Sequence, residues 1–328
     1  MICAGIETTA HTFGVGICDE NGNILANVRD TYKPKAGWGI VPMQARKHHE
    51  DVAESVMGQA LSEAGISERD IDALAVSQGP GLPPCLYAGM NYSAELSAKL
   101  KKPLMGVNHC VAHIEIGRLM TKLKDPVTLY VSGANTQIIA YTAGRYRIFG
   151  ETQDIGIGNA LDKFGRAAGL QFPHGPKIEE LAAKGRWTGM PYVVKGMDLS
   201  FSGIVTEAAK KLNSGEPLND VCFSLQESMF SMVTEVIERA LAHTGKSEVL
   251  LTGGVAANKR LQEMIGIMCS ERGAKSAAVP LEYSGDNGAM IAWTGILAHK
   301  NGQKPLGSEP EVLPRWRTDE SEIPWMQR

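Results

Sequence analysis

His109 and His113 stand four residues apart, with Cys110 directly after the first. On a helix that spacing puts both imidazoles on one face, where they can bite a single metal ion. The spacing equally fits two ordinary, partly exposed histidines near a helix start. A zincin-type protease would need glutamate directly after the first histidine as general base. Cysteine in that place disfavours a protease. Asp286, within Ser284-Gly285-Asp286-Asn287-Gly288, lies in an acidic turn just ahead of the last helical stretch. A carboxylate there serves either as an N-cap or as a metal ligand. Three turns built from small residues complete the set: Glu7-Thr8-Thr9, Ser132-Gly133-Ala134-Asn135-Thr136 and Thr252-Gly253-Gly254-Val255-Ala256-Ala257-Asn258. Phosphate needs close backbone N–H donors and no obstructing Cβ, which such turns supply. Singly, each is more often only a turn. Together, two on matching hairpins and one between strand and helix, they point to a nucleotide in a cleft between duplicated lobes.

The elements that must position these residues are readable from periodicity. Residues 2–28 give two strands with a tight connection, and Glu20-Asn21-Gly22-Asn23 marks a further turn. Met43 to Ala64 has helical spacing, and Ser67 can cap a short helix. Residues 71–78 form a short strand ending in Gly79-Pro80-Gly81, followed by a helix from Tyr87 to Leu100. A strand over 103–109 then runs into the helix carrying His113 and Glu115. From Val127 to Glu151 a second strand pair repeats the logic of residues 2–28, which suggests a duplicated unit. Residues 154–245 are mostly helical; Glu248 to Leu261 reads as strand, Gly-rich turn and helix; a last helix covers Gly288 to Lys300. The tail, with Pro305, Pro310, Pro314 and Pro324, is extended and packs on the first domain.

The chain has 328 residues, enough for two medium cores, with 43% apolar and 21% charged residues. No basic region precedes the first apolar stretch, and no apolar run approaches the roughly 20 residues that span a bilayer. Six scattered cysteines without a CxxC pair argue for a reducing, cytoplasmic setting and against a zinc ribbon. A formal charge of −3 gives no global attraction to nucleic acid. An RNA partner would have to be met by local cations, for which Lys33/Lys35, Arg46/Lys47 and Lys99/Lys101/Lys102 are candidates, or by partner subunits.

These landmarks, in this order, resemble the TsaD family, whose archaeal and eukaryotic members form the catalytic subunit of the KEOPS complex. The residues that carry the resemblance are GIETTA (5–10), HHED (48–51), SQGPGL (77–82), GVNHCVAHIEIGR (106–118), LYVSGANTQIIAY (129–141), FGETQDIGIGNALDKFGR (149–166), KGMDLSFSG (195–203), TGGVAANKRL (252–261) and GDNGAMIA (285–292). The HIEIG wording is similar to the archaeal form, and the chain is expected not to be fused to a kinase-like partner.

The resemblance implies an α/β, actin-like ATPase fold with two ribonuclease-H-like lobes around a nucleotide cleft. Residues 1–104 plus 297–328 are expected as the N-terminal lobe, and 105–296 as the C-terminal lobe with a helical insertion over 154–245. It implies metal ligands His109, His113, Tyr130 and Asp286, with iron ahead of zinc, and adenine-nucleotide contacts (ATP, AMP or threonylcarbamoyl-AMP) at Tyr130, Val131, Ser132, Gly133, Ala134, Asp162, Gly175, Glu179 and Asn258. Asn258 and Glu179 are expected to be replaceable without loss of the fold. The implied reaction moves a threonylcarbamoyl group from L-threonylcarbamoyl-AMP to N6 of the adenosine beside the anticodon of tRNA. Implied partners are tRNA, a kinase-like subunit, a small dimerising subunit and accessory subunits, with no membrane. No side chain is an obvious general base; His48 and His49 are candidates, and buried structural roles fit them as well. The sequence departs from the family pattern at Thr8, Ala134, His174 and Pro83 to Tyr87, where glycine, glycine, glycine and a Ser- and Arg-containing loop are usual. A methyl at Thr8 or Ala134 is expected to narrow the approach of a phosphate. A small-molecule kinase of the same fold would want Mg²⁺ on carboxylates and water, not on two imidazoles. A non-catalytic nucleotide-sensing scaffold would not need the metal ligands at all.

Overall fold

The computed structural model describes residues 1–34 and 39–326, so Lys35 of the first basic cluster lies outside the described residues. Two compact units divide the chain: Met1–Leu119 with Thr142–Tyr146 and Asp286–Arg328, and Met120–Tyr141 with Arg147–Gly285.

The first unit begins with β1 (Ile2–Glu7), β2 (Thr12–Asp19) and β3 (Ile24–Thr31), followed by α1 (Pro42–Ala64), β4 (Ala73–Gly79), α2 (Pro83–Leu100), β5 (Leu104–Asn108) and α3 (His109–Thr121). Its sheet has the order β3-β2-β1-β4-β5, antiparallel across the first three strands and parallel from β1 through β4 to β5. Alternation assigns the two faces. Ala4, Ile6, Val15 and Ile17 join Val56 and Met57 of α1 and Leu86 and Met90 of α2 in one buried cluster. The opposite face meets a late helix directly, as set out below. The tail behaves as expected and lies along this unit: Leu306 donates its amide to Leu104, Leu313 to Gln78, and Gly81 to Pro314, at 2.8, 2.8 and 3.2 Å.

In the second unit β6 (Val127–Val131), β7 (Thr136–Thr142) and β8 (Arg145–Glu151) precede α4 (Ile157–Ala167) and α5 (His174–Ala182). A small ribbon, β9 (Val194–Lys195) and β10 (Asp198–Leu199), leads to α6 (Ser202–Asn213) and α7 (Leu218–Thr244). Then come β11 (Glu248–Thr252), α8 (Lys259–Glu271), β12 (Lys275–Ala278) and α9 (Leu281–Ser284). The final helix, α10 (Gly288–Lys300), belongs to the first unit. The second sheet runs β8-β7-β6-β11-β12, the same topology as β3-β2-β1-β4-β5, with β6–β7 antiparallel and β6–β11–β12 parallel. The duplication expected from the hairpins is therefore present, with three strands in each meander instead of two. Phe164, Ile178, Ile204 and Phe230, one from each of α4 to α7, pack with Leu129 and Leu251 of the sheet.

Segments 105–119 and 286–296 group with the first unit, whereas the sequence reading put them with the second. The cause is pairing. β5 extends the parallel run of β4, and α10 lies on β1 and β2 through glycines. An added Cβ on Gly16 would stand 2.0 Å from the Ala289 nitrogen, and one on Gly5 2.1 Å from the Ala292 nitrogen. Among the described residues, no helix is long and apolar enough to cross a membrane.

Candidate metal centre and nucleotide turns

Asn108 ends β5, and its Oδ1 accepts the amides of Cys110 and Val111 at 2.9 and 3.1 Å. This cap starts α3 at His109, so His109 and His113 fall one turn apart on the same face. Their ring centroids are 4.7 Å apart at 87°. The Nε2 atoms of His109 and His113 lie 3.5 and 3.4 Å from Asp286 Oδ1. The choice between cap and ligand for Asp286 is decided by its neighbour: Asn287 Oδ1 accepts the Met290 amide at 3.0 Å and caps α10. Asp286 is left to face the imidazoles.

Behind His109 stands Glu7, fully buried at the end of β1, with Oε2 3.0 Å from His109 Nδ1. Its Oε1 accepts both the amide and the hydroxyl of Thr9, at 2.7 and 2.5 Å. The Nδ1 proton is thereby assigned to the Glu7 side, and Nε2 is left for an ion. Burial lowers the His109 pKa, but the Glu7 carboxylate, helped by Asp286, outweighs it and raises the value to about 9, so an ion would bind Nε2 by displacing its proton. Burial pushes His113 down, toward the neutral form a ligand requires. At Asp286 burial acts upward but is overcome by the His113 hydrogen bond and the His109 charge, which hold its carboxyl well below the usual range. Two imidazole nitrogens and a carboxylate oxygen, all within 4.8 Å of one another, fit iron or zinc better than a hard, all-oxygen cation. Glu7→Gln should weaken metal affinity about 10- to 100-fold with the fold intact, because the amide no longer enforces the tautomer. Competition against a chelating dye measures this, and unchanged affinity would remove Glu7 from the centre.

Glu7 was legible only as part of a presumed phosphate turn, and that expectation is corrected here. The Thr9 amide is spent on Glu7 and the Thr8 amide on Ser77 Oγ, at 2.7 and 3.0 Å. Nor does the Thr8 methyl narrow any phosphate approach. Its side chain is buried against α2, where a Cβ on Gly89 would meet Thr8 Oγ1 at 2.1 Å. His49 is fully buried, with Nε2 3.1 Å from the Ala10 carbonyl, and burial lowers its pKa to about 4. That environment suits a structural imidazole.

Tyr130 belongs to the second unit, buried on β6 opposite Thr252 of β11. The turns after these two neighbouring parallel strands match the place where open α/β sheets bind ligands. In the first turn the amides of Gly133 and Ala134 have no hydrogen-bond partner among the described residues, and both residues are exposed. Sequence reasoning missed what supports this turn: Gly156 and Gly158. A Cβ on either would come within 2.6 Å of the turn's own backbone. In the second turn Gly253 has φ +91, and a Cβ there would stand 2.2 Å from the Val131 carbonyl oxygen, so conformation and space both call for glycine. Val131 thus ends β6 against that turn, and Ser132 closes its own by accepting the Asn135 amide at 3.2 Å.

Asn258 and Glu179 meet at the start of α8. Asn258 Oδ1 accepts the amides of Arg260 and Leu261, its Nδ2 donates to Gln226 Oε1, and Glu179 Oε1 accepts the Lys259 amide. Gly175, in the first turn of α5, has open space where a Cβ would be. Asp162 on α4 accepts from His174 Nδ1 at 2.9 Å. Asn258 therefore has a structural role beside the expected ligand role: it caps a helix, so its replacement should carry a stability cost while leaving the fold intact. Asn258→Ala should lower stability by about 1 kcal/mol, and a urea titration showing no loss would contradict the capping role.

Residues 23–293 match the family model described as TsaD, tRNA N6-adenosine threonylcarbamoyltransferase. The tRNA N6-adenosine threonylcarbamoyltransferase of Methanopyrus kandleri is 50% identical over 340 residues, spanning 100% of this chain and 97% of its own length. A probable bifunctional tRNA threonylcarbamoyladenosine biosynthesis protein of Methanocaldococcus jannaschii is 51% identical over 328 residues, and the chain covers 61% of it. Among solved structures, HypF of T. kodakarensis superposes with a TM-score of 0.66 at 15% identity, over 91% of this chain and 48% of that one. At that identity the likeness speaks for the fold, which is that of the actin-like ATPases.

Proposed function

The chain belongs to the TsaD family of tRNA N6-adenosine threonylcarbamoyltransferases, and from this we propose how its own residues divide the work. The enzyme transfers a threonylcarbamoyl group to N6 of a tRNA adenosine. L-Threonylcarbamoyl-AMP is our donor: the N6 amine attacks the carbamoyl carbon, the carbon–oxygen bond to phosphate breaks, AMP leaves and the amine sheds a proton. The adenosyl part falls to Asp162, Gly175, Glu179 and Asn258, and the phosphate to the amides of Gly133 and Ala134 after Tyr130, Val131 and Ser132. His109, His113 and Asp286 would hold a metal ion, with iron ahead of zinc and Tyr130 as the proposed fourth ligand. Such an ion supplies Lewis acidity toward phosphate and carbamoyl oxygens. Glu7 keeps the proton on His109 Nδ1, and the buried, neutral His113 keeps its lone pair available.

The observation that carries this reading is the convergence of two imidazoles and one carboxylate backed by a buried glutamate. A kinase has no use for that donor set. The test is single-turnover transfer of label from threonylcarbamoyl-AMP, made with labelled threonine, into tRNA. Labelled tRNA and an equivalent of AMP are expected, and ATP-dependent phosphorylation of a small molecule without tRNA labelling would replace the reading.

A cytoplasmic setting follows the tRNA substrate, and KEOPS-type subunits (kinase-like, small dimerising and accessory) are part of the proposal. The bifunctional name of the Methanocaldococcus relative supports a functional link with a second activity. The candidate cations are largely neutralised: Arg46 pairs with Glu50, Lys47 with Asp51, Lys99 with Glu68 and Lys102 with Asp72, at 2.7, 3.1, 2.8 and 3.9 Å. The chain alone should therefore bind tRNA weakly and lose about tenfold or more in affinity between 50 and 200 mM salt. Filter binding with and without partner subunits measures it, and tight, salt-insensitive binding by the chain alone would contradict it.

A further inference from the structure

His174 stands where the family pattern has glycine, and the second unit is built around it. The residue is 5% exposed, and its Nδ1 donates to Asp162 Oδ1 at 2.9 Å. Room for the ring comes from Gly165, one turn along α4 from Asp162. A Cβ there would come within 2.5 Å of His174 Cβ and 2.6 Å of its Cγ and Cδ2. Across the ring, Phe172 lies edge-on at 5.7 Å and 81°. Seated against Gly165 and Phe172, the ring holds one carboxylate oxygen. Asp162 has no other hydrogen bond among the described residues, and its side chain is 32% exposed. One oxygen is held by the ring, and the carboxylate is partly open to solvent.

A carboxylate on a helix surface ordinarily samples several rotamers, and a ligand must suppress that freedom on binding. Here the protein has already suppressed it. We propose that His174 is a positioning residue that orients Asp162 to accept ribose hydroxyls, and so sets the preference of this chain for a ribonucleotide. This rests on the reading above in which Asp162 meets the adenosyl part of the donor, whose ribose hydroxyls suit a carboxylate acceptor. Gly165 is part of the same device, since only glycine at that position leaves space for the ring.

Calorimetry on the full chain with AMP and with 2′,3′-dideoxy-AMP tests the proposal, because only the first offers hydroxyls. The wild type should favour AMP about tenfold, the worth of one hydrogen bond to a charged group. His174→Gly should reduce that ratio to about two. Gly165→Ala, which displaces the ring without removing it, should do the same. His174→Asn, whose amide nitrogen can replace Nδ1, should keep most of the preference. Asp162→Ala separates the two layers of the argument. If it abolishes the preference while His174→Gly and Gly165→Ala retain it, the role of His174 is overturned and the ribose contact stands. If Asp162→Ala also retains it, or if the wild type shows none, the ribose reading fails and the proposal falls with it. A merely structural role for His174 would weaken both nucleotides in parallel with an unchanged ratio, which likewise overturns the proposal.

Discussion

His113→Ala is expected to take the bound metal from about one ion per chain to below about one in ten, and threonylcarbamoyl transfer down at least about 100-fold. Loss of a supporting residue behind a ligand already costs about 10- to 100-fold in affinity or activity, and loss of the ligand itself should cost more. The side chain is 1% exposed, so solvent is poorly placed to replace it. His109, Asp286 and the proposed Tyr130 remain, which leaves the proposed four-donor set one ligand short. Elemental analysis of the purified variant gives the answer, and a thermal melt checks that the chain is folded. Wild-type metal content would remove His113 from the centre.

The second large effect lies away from the chemistry. Gly16→Ala should destabilise the protein by about 3 kcal/mol or more, and should weaken metal binding as well. The new Cβ would stand 2.0 Å from the Ala289 nitrogen and 2.3 Å from the Gly288 carbonyl carbon. Those are backbone atoms, so no rotamer change relieves the clash and α10 must move away from β2. Asn287 caps that helix, and Asp286 precedes it, so the metal ligand moves with it. Urea unfolding and metal competition on the same variant should fall together. A stability loss below about 1 kcal/mol would show that α10 can shift at little cost, and would separate its packing from the centre.

Much of this architecture was written in local patterns. The His-x-x-x-His spacing, the helix from Met43 and the repeated hairpins each depend on neighbours within a turn or two, and each is present in the fold. What escaped notice depends on strands or segments that meet only after folding. Glu7 and His109 are 102 residues apart and become partners because β1 and β5 flank β4 and end on the same side. No periodicity announces that. β8 does not separate from β7 in the sequence, because its Arg-Tyr-Arg start alternates exposed and buried residues at a sheet edge and weakens the apolar signal. β12, with the sequence Lys-Ser-Ala-Ala, has almost no strand signal and is held by its pairing with β11. The roles of Asp286 and Asn287 were ambiguous in sequence because either can cap a helix, and only the hydrogen bond to Met290 separates them. Asn258 was read as a ligand residue from the resemblance, while its capping of α8 appears only once the helix start is known.

Transfer to tRNA is proposed to depend on an ion held by His109, His113 and Asp286. The most direct measurement strips the protein with a chelator, returns iron or zinc in sub-stoichiometric steps, and follows label transfer from threonylcarbamoyl-AMP into tRNA at each step. Transfer should rise in proportion to occupancy and level off at about one ion per chain, while His113→Ala stays flat throughout. Full transfer by the stripped protein, or recovery of the His113→Ala variant to the wild-type level, would contradict the account.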